Sequence, residues 1–160
     1  MKSQLKSVWW SAALLAATTA AVAQNTVFTY QGRVTDKGTN FSGLGQFKFA
    51  LVASTNDNVS YVTYWSNDGT GLNGTEPAGA VSVPVSNGLF TVTLGDTTLS
   101  HMGAISAALF AHPNLELRIW FNDGDNGFAA LEPAQALTPA PYATFANTAG
   151  SLANGSVKSK

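Results

Sequence analysis

Val81, Val83 and Val85 alternate with Ser82, Pro84 and Ser86, and after Asn87-Gly88 the alternation resumes with Phe90, Val92 and Leu94 against Thr91 and Thr93. Apolar residues at every second position turn one face of each strand toward a core. Asn-Gly readily takes the positive φ angles of a tight turn. The stretch Val81 to Asp96 therefore predicts a β-hairpin with one greasy face, which needs a second layer to cover it.

The same period recurs along the chain. Phe28, Tyr30, Gly32 and Val34 oppose Thr29, Gln31, Arg33 and Thr35, with Gly32 marking a bulge or a close backbone approach. Phe47, Phe49 and Leu51 alternate with Gln46, Lys48 and Ala50; Leu115, Leu117, Ile119 and Phe121 alternate with Glu116, Arg118 and Trp120. Ser60 to Ser66 is a strand by β-propensity, but Tyr61/Thr63/Trp65 and Val62/Tyr64 both suit burial, so its inward face stays open. Asn122 to Gly127 turns the chain, and Phe128 to Glu132 can pair back. Only Leu99 to Pro113 changes period: Met102, Ile105, Leu109 and Phe110 recur at helical spacing, Ser100 can cap, and Pro113 stops the run. Asn67 to Gly79, rich in Gly, Asn and Asp, is a loop where insertion or mobility would concentrate. The predicted fold is all-β: an antiparallel two-layer β-sandwich of about seven or eight strands with one short helix.

The N-terminus changes the picture of where this domain works. Lys2 and Lys6 precede the apolar run Val8 to Ala17, and Ala21-Val22-Ala23 places small residues where a signal peptidase reads. The run is too short to span a bilayer comfortably. Residues 1–23 are thus expected to be a cleavable signal peptide, 24–142 the β-sandwich domain, and 143–160 an Ala/Asn-rich tail, flexible or stalk-initiating. The mature form is expected to be secreted, extracellular, at the cell surface or periplasmic, with no membrane span. Removing Lys2 and Lys6 reduces the 8 basic residues to 6 against 9 acidic ones, a surface with no electrostatic pull on nucleic acid or anionic lipid. There is no Cys, so packing must hold the domain without disulfides.

Candidate chemistry is sparse. Gly69, Gly71 and Gly74 match the dinucleotide fingerprint, but Glu76-Pro77 and a hairpin follow where a helix would have to start, so the match is rejected. Asp123 and Asp125 offer the beginning of a Ca2+ loop, yet Glu132 does not stand where an EF-hand needs its bidentate acid. An Asp-Gly turn accounts for the same letters and ranks ahead of the cation site. His101 and His112 are too far apart to share a helix face, and most acids sit in turn contexts. The chain is read as non-enzymatic, with no cofactor and a hydrolase ranked third. Trp120, Trp65 and Tyr64 are the ligand-binding candidates: they belong either to a second packed layer or sheet edge, or to a platform stacking on sugar rings or a neighbouring subunit.

Five segments carry a further likeness: FTYQGRVTD (28–36), FKFALV (47–52), VPVSNGLFTVTLGD (83–96), LRIWFNDG (117–124) and LTPAPYATFANTAG (137–150). Their order resembles that in secreted bacterial tail-fibre-domain or phage-tail-like surface proteins. The resemblance implies a β-sandwich-like head whose PYA segment leads into an Ala-rich trimeric stalk. It thereby nominates Tyr142, Ala143, Ala146 and Ala149 for oligomerisation, with a homo-trimer or a surface or fibre protein as partner. Lys160 follows soon after that spacing begins, so a stand-alone head or a truncated fibre is expected. The implied function is an exported structural module for surface display, adhesion or fibre-like assembly; the alternative is a carbohydrate- or ligand-binding module using exposed aromatics.

Overall fold

The computed structural model describes residues 25–55 and 60–138. Two-residue strands β1 (Asn25–Thr26), β3 (Thr35–Asp36) and β4 (Thr39–Asn40) flank β2 (Phe28–Arg33). The long β5 (Gly43–Ser54), β6 (Tyr61–Ser66), β7 (Val81–Ser86) and β8 (Leu89–Leu94) follow. The short β9 (Ile105–Ser106), a 3-10 turn at Ala107–Ala111, β10 (Leu115–Asn122) and β11 (Ala129–Ala136) complete the order. The expected all-β, antiparallel architecture is present.

One seven-stranded sheet, in the order β11-β10-β5-β7-β8-β2 with β6 also on β5, curls on itself to make the two layers. The hairpin is its corner. At the turn, Asn87 and Gly88 have φ of 49° and 82°. Beyond it, β7 and β8 pair only at Val85 with Phe90 and Ser86 with Leu89, then separate. β7 continues along β5, and β8 along β2. The two apolar faces of the hairpin are thereby set opposite each other. Phe47 fills the space between them, its ring 4.4 Å from that of Phe90 and 5.0 Å from that of Phe121. The alternating residues singled out in β5, β7, β8 and β10 form this core, with Phe28 and Tyr30 packed against it. Each fully buried large apolar side chain contributes about 1.5–3 kcal/mol. Gly32 is a close approach, since a Cβ there would lie 2.6 Å from Phe90 Cζ.

The helix expected across Leu99 to Pro113 shrinks to the 3-10 turn, capped by the Ser106 hydroxyl rather than by Ser100. His101 has φ of 58°, which a right-handed helix does not admit. Met102, Ile105 and Leu109 still reach the core, but from an irregular stretch, a strand and a 3-10 turn in succession. Their helix-like spacing is a coincidence of three local structures.

The ambiguity of β6 has a physical cause. Its pairing with β5 shifts between Leu51–Trp65 and Val52–Thr63. This bulge lets Trp65 pack on the inner core while Tyr61 packs on the outer face. The leader, the turn at Asn56-Asp57-Asn58 and the oligomerisation candidates Tyr142, Ala143, Ala146 and Ala149 lie outside the described residues. Within those residues no helix is long and apolar enough to cross a membrane.

Candidate functional site

Along β5, Lys48, Ala50 and Val52, which alternate with the inner-core residues Phe47, Phe49 and Leu51, are buried as well. Ala50, Val52 and Trp120 form a second apolar cluster with Tyr61 and Phe128 packed against it. The cover over this outer face is the loop between β6 and β7, the segment expected to be mobile or open to insertion. It is instead tied down throughout. Asn67, with no exposed surface, accepts from the Phe49 backbone N–H through Oδ1 at 2.8 Å. Its Nδ2 donates to the carbonyls of Gly79 at 2.8 Å and His101 at 3.0 Å. Asp68 accepts from the Gly79 and Thr70 backbone N–H groups and the Thr70 hydroxyl. Burial pushes the Asp68 carboxyl up, but these bonds outweigh it and hold it below the ordinary Asp value. Gly74, at φ of 72°, lies against Tyr61, and its N–H donates to Thr63 Oγ1 at 2.7 Å.

This cover leaves a cleft of about 750 Å³ between itself and the sheet. Arg118 and Trp120 of β10 line it, together with Tyr61 of β6, the loop segment Asn73–Glu76, and Glu132 of β11. A register shift between β10 and β11, between Leu117 and Ile119, falls beside Glu132. The Arg118 guanidinium donates to the Gly74 carbonyl at 2.7 Å and to Glu132 Oε1 at 2.9 Å. It also lies 4.6 Å from the Tyr61 ring centre and 5.1 Å from that of Trp120. Lys48 donates to Glu76 Oε1 at 2.5 Å, with its ammonium 3.9 Å from the Phe128 ring centre. The Lys48–Glu76 ion pair and the Arg118–Gly74 hydrogen bond therefore pin the loop to the sheet, the Arg118–Glu132 pair ties β10 to β11, and the charges around the cleft are close to balanced.

The three aromatic candidates do not share a surface. Trp120 is only 5% exposed, so it is not an open platform: Tyr61 and Arg118 pack over it and it lies low in the cleft. Trp65 is half-buried against the inner core and donates from Nε1 to the Gly103 carbonyl at 3.3 Å. Tyr64 is exposed and stacks on His112, with ring centres 4.0 Å apart, beside a smaller groove toward one end of the sandwich. At the Asp123/Asp125 turn, Asp123 accepts from the backbone N–H groups of Asp125 and Asn126 and from the Asn126 side chain. Those donors hold its carboxyl at about 2. Within the described residues no three His, Cys, Asp or Glu side chains converge as a metal site.

Residues 29–139 match a family model that runs from the second residue of β2 past the end of β11. This chain belongs to the family described as Domain of unknown function (DUF8740). No curated protein and no solved structure matches. The family's matched span contains the curled sheet, the covering loop and every residue of the cleft. Glu76, Arg118 and Glu132 were not nominated as binding residues from the sequence, whereas Tyr61 belongs to the aromatic strand of Trp65 and Tyr64 that was. A signal was present: Ala50, Val52 and Trp120 make the face opposite the inner core on two neighbouring strands too apolar to lie bare.

Proposed function

We propose that this chain is an exported, non-enzymatic β-module for surface display or adhesion, which works by holding a partner without transforming it. The observation that carries the reading is the state of the charged groups in the cleft. Lys48, Glu76, Arg118 and Glu132 are joined in pairs, and Lys48–Glu76 together with the Arg118–Gly74 bond fastens the loop, which suits a preformed contact surface. The leader-like N-terminus and the hydroxyl-rich outward positions of β2 and β8, such as Thr29, Thr91 and Thr93, support placement outside the cell. The resemblance of the five ordered segments to bacterial surface proteins supports the display role. Expression of the full chain in a bacterial host tests it, by intact mass of the exported product and by adsorption of that product to immobilised cell-wall and glycan polymers. Cleavage after Ala23 with saturable adsorption is the expected result. Retention in the cytoplasm with the leader attached, or turnover of a chromogenic hydrolase panel, overturns the reading.

A further inference from the structure

We infer that the cleft between the loop and the sheet binds a neutral oligosaccharide, with Glu132, Glu76 and Arg118 contacting hydroxyls and the edge of Tyr61 lining the site. The inference rests on the reading of the chain as a binding module and names the ligand class of that site. Charge decides against ionic ligands. The two cations are each bonded to one of the two carboxylates, so neither an anion nor a cation finds an uncompensated partner.

Polyol chemistry fits what remains. Glu132 and Glu76 side chains are 56% and 40% exposed, and each uses one oxygen for its cation while the second oxygen can accept from a sugar hydroxyl. Arg118 spends two of its about five guanidinium N–H donors on Gly74 and Glu132. Half-buried Tyr61 supplies an aromatic edge, and its position is fixed by Gly74 on one side and Arg118 on the other. The volume lies within the roughly 300–1,000 Å³ usual for small-molecule sites. Because the Lys48–Glu76 pair and the Arg118–Gly74 bond hold the loop over the sheet in advance, little ordering is left to oppose binding.

Trp120 in the cleft gives the measurement. In the exported product, a Trp65→Phe background leaves Trp120 as the indole that reports from the cleft. Its emission is titrated with the neutral malto-, cello-, xylo- and N-acetylated chito-hexaoses and with the anionic hexagalacturonate. The expected result is a saturable change with at least one neutral hexaose, weakened about tenfold by Glu132→Gln, which removes a charge-assisted acceptor. Glu132→Gln retains an oxygen for Arg118, and an unchanged urea midpoint verifies its fold. Binding of hexagalacturonate alone overturns the ligand class. No response to any sugar up to about 10 mM, or an affinity indifferent to Glu132→Gln, overturns the site. None of those three failures touches export or adsorption, which are measured separately.

Discussion

Asn67→Ala removes the anchor from which the loop over the cleft is hung. The side chain has no exposed surface and makes three hydrogen bonds, one accepted from Phe49 N–H and two donated to Gly79 and His101 carbonyls. Truncation leaves one donor and two acceptors without that partner in a region too tight for easy solvation. At about 1–3 kcal/mol for each buried group left unpaired, and with some relaxation, the loss is about 3–5 kcal/mol. That is a large share of a typical folding free energy of about 5–15 kcal/mol. Urea unfolding followed by tryptophan emission reads it as a midpoint lowered by about 2 M, given m values of about 1–3 kcal/mol per molar. Asn67→Asp keeps the acceptor for Phe49 but loses both donors and sets a charge beside two carbonyls, so it should be at least as harmful. Ser82→Ala, which removes the exposed hydrogen bonds to Gln46, should stay within about 0.5 kcal/mol of the parent. An Asn67→Ala loss below about 1 kcal/mol refutes the anchoring argument.

Three further outcomes test other parts of the account. Asp123 should titrate at about 2 by carboxyl NMR, against an ordinary 3.8. Because the folded value is depressed, its contribution to the turn is complete above pH 3.8 and is lost as pH falls through about 2; a midpoint near 3.8 contradicts the hydrogen bonding described. Glu76→Ala should cost about 1–2 kcal/mol in urea unfolding: it strands the buried Lys48 ammonium, but the exposure of Glu76 discounts the full value of a buried pair. Gly74→Ala meets both a positive φ of 72° and a Cβ position 2.6 Å from Tyr61 Cβ, so a loss of about 1–3 kcal/mol is expected, and an unchanged midpoint would falsify the packing of the loop on β6.

The inner core was legible because it is written at period two. Val81/Val83/Val85, Phe90/Val92/Leu94 and Leu117/Ile119/Phe121 each name a face without knowledge of the partner strand. What periodicity cannot express is a strand buried on both sides. β5 reads as half polar because Lys48 occupies its outer face, and only Glu76, far along the chain, makes that burial tolerable. The loop was misjudged for a related reason. Gly, Asn and Asp are the residues of mobile loops, and equally those of a tightly hydrogen-bonded cover such as the one Asn67 and Asp68 build. Trp120 was rightly singled out, but its alternation with Leu117 and Ile119 told only that it leaves the inner core. Whether it meets water or a second layer depended on a segment more than forty residues earlier.

The central claim is that contact is made in the cleft on the outer face of β5, β6 and β10. Amide chemical-shift mapping of the exported protein with a saturating neutral hexaose tests it most directly. The account predicts shifts grouped at Tyr61, Asn73–Glu76, Arg118–Trp120 and Glu132. Shifts grouped instead at Tyr64, Trp65 and His112, around the smaller groove, would contradict it.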